Sequence, residues 1–282
     1  MLVREALTWG VLELEDFTSK QLESRILLAS ILNITQEGLL IKYNEHISQE
    51  EESAFYEYIK RRKALEPIAY IVGKKEFYGR DFIVNKQVLI PRPETELIID
   101  RVVLEYKENF AGKEVTILDL GTGSGAIAVT LAALIPQAKI VATDISDEAL
   151  MLAAENAKFN GTIIQIQFIK SDWYSNLPEK KFDFIISNPP YISPDNKTYM
   201  AQETILYEPE SALFANENGL INYKKIISGL NNFLKSENKI FLEIGFNQSE
   251  AVINILKGYL FTEIVISKDL SGHSRVIEFR RA

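Results

Sequence analysis

An apolar run at residues 182–187 stops abruptly in Asn188-Pro189-Pro190-Tyr191, and this junction constrains the chain more than any other stretch. Consecutive prolines remove two backbone donors and exclude helix and ladder alike, so a strand there must end at Ser187. In an open α/β sheet, ligands bind at loops on the carboxyl ends of strands, which puts Asn188 and Tyr191 at the mouth of a site. The chemistry offered is specific. A planar NH2 group, whether of an amide or of a base, is a poor nucleophile because its lone pair is delocalised, and it must be held in place. The Asn188 side-chain oxygen and the Pro189 carbonyl can each accept one N–H, and Tyr191 can stack on the flat group. A strand that merely ends in prolines would have none of this chemistry, so the turn has to be judged with its neighbours.

From residue 113 onward, strand and helix patterns alternate regularly. Strands are expected at 115–120, 139–143, 165–170, 182–187 and 240–244, with two more at 261–266 and 274–279; helices are expected at 126–134, 147–158, 220–234 and 248–257. The expected class is α/β with a mostly parallel sheet. A polar stretch of about 25 residues after the proline turn is long enough to act as a lid. Residues 1–66 read as a small helical bundle, with Ser19 a candidate cap. Ser48-Gln49-Glu50-Glu51 forms a capping box ahead of a stripe of Phe55, Tyr58, Ile59 and Leu65. Lys60-Arg61-Arg62-Lys63 falls in the last turn of that helix, where cations complement the macrodipole, and reads as a solvated helix end. From Tyr70 the period changes to two, through Phe77, Phe82, Val84, Val88 and Ile90, and residues 67–96 read as a hairpin linker. It leads into Pro91-Arg92-Pro93-Glu94-Thr95-Glu96, whose charges suit a helix start. The expected division is therefore 1–66, 67–96 and 97–282.

Length and composition bound the rest. A chain of 282 residues suits two domains. Net charge is -8, and neither residues 1–88 nor the remainder is net basic, which argues against duplex DNA as a substrate. There is no cysteine, excluding disulfides and thiolate chemistry and fitting a cytoplasmic protein. With two histidines, His46 and His273, no histidine-rich metal centre is expected, and no apolar run approaches a membrane span.

Asp119-Leu120 lead into Gly121-Thr122-Gly123-Ser124-Gly125 between a strand and a helix, where glycines let backbone approach a ligand. The later glycine of the dinucleotide fingerprint is missing, since residue 126 is Ala. The next strand ends in Asp144, at the separation where an acid chelates a ribose diol. A third ends in Ser171-Asp172-Trp173, offering an acceptor for an adenine amine and a face for its ring. Three successive strand ends so equipped imply an adenosine without a pyrophosphate, namely S-adenosylmethionine, leaving as S-adenosylhomocysteine.

The glycine loop, residues 187–191, and the linker from Glu66-Pro67-Ile68-Ala69-Tyr70 through residues 91–96 together resemble the peptide-chain release factor glutamine methyltransferases. The resemblance runs end to end. It includes residues 207–213, Glu243-Ile244-Gly245 and Asp269-Leu270-Ser271-Gly272, with a departure at His273-Ser274-Arg275. It implies a helical N-terminal substrate-recognition domain and a seven-stranded class I S-adenosylmethionine-dependent, Rossmann-like methyltransferase domain. The implied reaction is methylation of the glutamine N5 in the Gly-Gly-Gln motif of class-1 release factors. Carried over, Gly121, Thr122, Gly123, Ser124, Gly125, Asp144, Asp172, Trp173 and Asn188 would bind the cofactor. Asn188 and Pro189 would be catalytic, and Asn188, Pro189, Pro190 and Tyr191 would hold the glutamine. No metal or membrane partner is implied. Because Asn-Pro-Pro-Tyr is shared with adenine-N6 methyltransferases acting on nucleic acid, that activity is the alternative. A silent S-adenosylmethionine-binding partner module is a further one, disfavoured by the intact Asn188. Methylating so weak an acid as an amide calls for positioning and electrostatics and not a general base, so the rate is expected to show no ionisation near neutral pH assignable to a site side chain.

Overall fold

In the computed structural model, which describes residues 1–259 and 261–281, the chain divides into two compact units. Residue 282, expected as the end of the last domain, lies outside the described residues. One unit comprises Met1–Lys74 together with Ala201–Tyr207; the other comprises Lys75–Met200 and the chain from Glu208 onward.

The first unit holds α1 (Val3–Glu13), α2 (Lys20–Ile31), α3 (Gly38–Ile41), α4 (Gln49–Lys63) and α5 (Ile68–Val72). Helix α4 starts where its capping box dictates. The Glu51 N–H donates to Ser48 Oγ at 3.1 Å, and the Ser48 N–H donates to Glu51 Oε2 at 2.7 Å. Leu27, Leu28, Phe55 and Ile59 close the core between α2 and α4. Three sequence readings change here. Ser19 makes no side-chain cap, and Leu65 lies past the end of α4 in left-handed backbone (φ +66°), off the expected stripe. The basic run is not simply a solvated end either. Arg62 is buried; its Nε and Nη2 donate to Glu23 at 2.8 and 3.2 Å, its Nη1 donates to Glu203 at 2.5 Å, and its guanidinium lies 4.4 Å from the centre of the Phe17 ring. Two carboxylates offset the desolvation that would otherwise keep an arginine at the surface. Thus Ala201–Tyr207, cut from the middle of the expected lid, packs with the helices; the Tyr207 hydroxyl also donates to the Ala64 carbonyl at 2.8 Å.

Across the expected linker, α5 comes first, and β1 (Lys74–Phe77) and β2 (Arg80–Ile83) then form a two-stranded sheet. No strand forms at residues 88–90, because the Ile90 N–H donates instead to Glu208 Oε2 at 3.1 Å. The second unit is built on β3 (Val115–Leu120), β4 (Ala138–Asp144), β5 (Ile166–Lys170), β6 (Phe182–Ser187), β7 (Leu234–Glu243), β8 (Phe261–Lys268) and β9 (Ser274–Arg281). These make one seven-stranded sheet in the order β5-β4-β3-β6-β7-β9-β8, with β9 antiparallel to both β7 and β8 and the other pairs parallel. Both faces are covered, which is why β3 and β6 are buried along their whole length. Alternate residues divide between the faces. Ile117 and Phe184 pack with α6 (Glu96–Glu105) and α7 (Ala126–Leu134), whereas Leu118 and Ile185 belong to the cluster that includes Tyr223, Ile226, Val252 and Leu256. The other longer helices are α8 (Asp147–Phe159), α9 (Ile221–Gly229) and α10 (Ser249–Gly258). Helix α9 ends short of the expected residue 234, followed by one 3-10 turn and then an early start to β7. The chain order reverses between β3 and β6, so a crevice opens outside their carboxyl ends.

Candidate active site

At the end of β3 the backbone enters the left-handed region three times, at Gly121 (φ +76°), Gly123 (φ +56°) and Gly125 (φ +81°), which side chains resist and glycine does not. This turn is pinned at close range. The N–H groups of Gly121 and Thr122 donate to the Thr143 carbonyl on β4 at 2.9 and 2.8 Å, and the Thr122 hydroxyl donates to Asp119 Oδ2 at 2.6 Å. Asp144, ending β4, accepts the Gly123 N–H on Oδ2 at 2.9 Å and the Ser146 N–H on Oδ1 at 3.0 Å. Its carboxylate is therefore fixed beside the loop with lone pairs to spare. Past β5, Trp173 adopts φ +51°, its carbonyl accepting from Ser171 Oγ at 2.9 Å. Its ring passes close over the glycine loop, 3.9 Å from where a Cβ on Gly121 would stand.

A cavity of about 340 Å³ brings together Gly121, Thr122, Gly123, Ser124, Asp144, Asp172, Trp173, Asn188 and Pro190. Gly125, Pro189 and Tyr191 do not line it. Gly125 is buried against α8, where an added Cβ would approach the Ala153 Cβ to 3.1 Å. Pro189 is buried, and Tyr191 packs into the apolar cluster with its hydroxyl turned toward Glu243. Beneath the loop, Asp119 is fully buried and its Oδ1 has no hydrogen-bond partner among the described residues. Burial pushes its carboxyl up to about 7.

The Asn-Pro-Pro-Tyr turn is held differently. Asn188 Nδ2 donates to Thr95 Oγ1 at 3.1 Å, the Thr95 hydroxyl donates to Glu243 Oε2 at 2.7 Å, and the Tyr191 hydroxyl donates to Glu243 Oε1 at 3.3 Å. Asn222 Nδ2 donates to the Pro190 carbonyl at 2.8 Å, and Gln248 Nε2 to the Tyr191 carbonyl at 2.9 Å. Nearby, Arg92 Nη2 donates to the buried Glu208 at 2.5 Å. The charges of residues 91–96 are thus more than helix-start electrostatics. Burial pushes the Glu243 carboxyl up to about 7, against the opposing pull of its bonds from Thr95 and Tyr191. Glu243 thus stands one hydroxyl away from Asn188.

Thr95 and Glu243 had no assigned role in the sequence. Glu243 did leave a signal, a lone carboxylate closing the apolar run 240–242; Thr95 left none apart from its place in a stiff loop. Among the described residues, no group of His, Cys, Asp and Glu is placed to hold a metal ion, and no helix is long and apolar enough to cross a membrane.

The fold and this strand-end arrangement define a class I, Rossmann-like S-adenosylmethionine-dependent methyltransferase, preceded by a helical bundle. Residues 97–254 match the methyltransferase small domain, and residues 5–73 match the PrmC N-terminal domain. A release factor glutamine methyltransferase of Streptococcus pneumoniae is 39% identical over 88% of this chain and 87% of its own length. The chain belongs to the release factor glutamine methyltransferase family. A bifunctional methyltransferase of Rickettsia prowazekii is 48% identical over 91% of this chain but 52% of its own length, so the chain spans about half of such relatives. A solved methyltransferase from Pyrococcus furiosus shares the fold, with a TM-score of 0.52 at 18% identity over 82% of this chain and the whole of that one.

Proposed function

We propose that this protein is a protein-(glutamine-N5) methyltransferase, transferring a methyl group from S-adenosylmethionine to the side-chain amide nitrogen of the glutamine in the Gly-Gly-Gln motif of class-1 peptide-chain release factors, in the cytoplasm. The observation that carries this reading is that Asn188 opens into the same cavity as the glycine loop, Asp144 and Trp173. The name of the Streptococcus pneumoniae relative supports the substrate.

The chain's own atoms fit the cofactor. Asp144 has acceptor capacity beyond its two backbone bonds for a ribose diol, and Trp173 offers a ring face. Residues 121–124 line the cavity with backbone that no side chain obstructs at the glycines. S-adenosylmethionine supplies an electrophilic methyl group. The protein's task is then to present the amide nitrogen in line. Asn188 Oδ1 accepts one of its N–H donors and stabilises the positive charge that develops on nitrogen. The bond from methyl to sulfur would break as the bond to nitrogen forms, its electron pair staying on sulfur, and no base is needed before transfer, because the proton becomes acidic only once the nitrogen is alkylated and then leaves to water.

Parallel incubation with labelled S-adenosylmethionine tests this reading, using an intact class-1 release factor, the same factor with the motif glutamine replaced, and DNA. Label should enter only the intact factor. Label in DNA would favour the adenine alternative, and label in the substituted factor would move the reaction away from the glutamine.

A further inference from the structure

We infer that Thr95 and Glu243 are positioning residues that fix which way round the Asn188 amide stands, its oxygen toward the substrate and its NH2 toward Thr95. This rests on the proposed role of Asn188 as acceptor for the substrate amide.

An asparagine amide has an oxygen on one arm and NH2 on the other, nearly equal in shape, so packing alone does not choose between them. Hydrogen-bond polarity does. A threonine hydroxyl has a single proton, and that of Thr95 is committed to Glu243 Oε2 at 2.7 Å in a buried pair. What Thr95 Oγ1 presents at 3.1 Å to Asn188 is therefore a lone pair, which accepts from NH2 and repels the amide oxygen. The other carboxylate oxygen, Oε1, accepts from the Tyr191 hydroxyl at 3.3 Å, so ionised Glu243 is approached by donors on both oxygens. The direction of the chain is set at its far end by the carboxylate and read out at the cavity by Asn188. Substrate amide nitrogen has two donors and needs acceptors; a reversed Asn188 would meet it with NH2 against NH2.

Protonating Glu243 supplies a second proton to the chain. The Thr95 hydroxyl can then turn to donate toward Asn188, and the amide reverses. Glu243 is faced by Thr95, Tyr191 and Tyr223, the last donating to its main-chain carbonyl at 3.1 Å. Arg275 favours the ionised form and Glu94 opposes it, while Arg275 is itself held by Asp269 at 2.8 Å. Burial brings the carboxyl to about 7, so the reversal falls within the working pH range.

The test pairs a spectroscopic readout with a kinetic one. In the cofactor-free full chain, the side-chain amide resonances of 15N-labelled Asn188 should titrate through neutrality, and the titration should vanish in Glu243→Gln. The single-turnover methylation rate on a release factor should fall as pH drops through the same range in the unsubstituted protein and become level in Glu243→Gln. Thr95→Val should slow transfer by about tenfold or more, with cofactor affinity little changed, and Thr95→Ser should restore it to within about threefold. Thr95→Val should cost nothing further on an Asn188→Ala background. Asn188 resonances that do not move with pH, or a Thr95→Val effect undiminished on that background, would overturn the inference. If the unsubstituted protein methylates no release factor, the proposed function fails separately, and the resonances alone decide the inference.

Discussion

The two walls of the cavity are pinned over very different spans of chain. On the glycine-loop side, Thr122 bonds Asp119 three residues away at the end of β3, and Gly123 bonds Asp144 twenty-one residues on at the end of the neighbouring β4. On the other side, Asn188 depends on Thr95 across 93 residues, Thr95 on Glu243 across 148, and Arg92 on Glu208 across 116. The first wall is shaped by backbone dihedrals that glycine permits, so it forms wherever β3 and β4 pair. The second exists only once three distant segments have docked. A backbone-built wall suits a ligand common to many enzymes, while a wall of long-range side-chain bonds can be set to one acceptor.

Substitutions that damage one wall and spare the other sharpen this contrast. The largest effect is expected at Gly219 (φ +85°), where an added Cβ would lie 2.0 Å from the Tyr191 carbonyl oxygen. Backbone cannot yield there, so Gly219→Ala should destabilise the protein by about 3 kcal/mol, combining left-handed strain with overpacking. Chemical denaturation measures that loss. What survives should still bind cofactor but fail to methylate, and equal damage to both would break the contrast.

Next comes Asn188→Ala. Losing an acceptor that strengthens in the transition state should lower kcat by on the order of 10²-fold, with affinity for S-adenosylhomocysteine within a few-fold by calorimetry. Asn188→Asp would keep an acceptor, and on sequence grounds alone should outperform Ala. In the folded protein it places a second carboxylate across Thr95 from Glu243, so its advantage should disappear above neutral pH. Asp144→Ala should do the reverse, weakening cofactor binding by about 2 kcal/mol through lost charge-assisted bonds and leaving the turn at Asn188 intact. Gly123→Ala should be the mildest, at about 1 kcal/mol, because its φ of +56° is strained for alanine but nothing lies within 4 Å of the added Cβ.

The same difference in span explains what could be read from the sequence. Strand, glycine turn and strand-end acid follow one another in the chain, so residues 119–125 and Asp144 were legible as a unit. Asn188 announced itself through the two prolines behind it. Thr95 did not, because nothing within the Pro-Arg-Pro-Glu-Thr-Glu stretch distinguishes a threonine that caps a helix from one that bonds a carboxylate 148 residues away. The turned-away Tyr191 was missed for a related reason: its ring is claimed by an apolar cluster whose members, Tyr223 and Val252 among them, come from later in the chain. The capping box at Ser48 was legible because both of its bonds are local. The burial of Arg62 was not, since one of its partners, Glu203, lies 141 residues further on.

The central claim is that the methyl acceptor is an amide nitrogen held at Asn188, and locating the transferred methyl group tests it most directly. Fragmentation mass spectrometry of a release factor after reaction should find one added methyl on the side chain of the Gly-Gly-Gln glutamine, formed about a hundredfold more slowly when Asn188→Ala replaces the unsubstituted enzyme. A methyl group found on any other residue, or the same initial rate at that glutamine from Asn188→Ala, would contradict this.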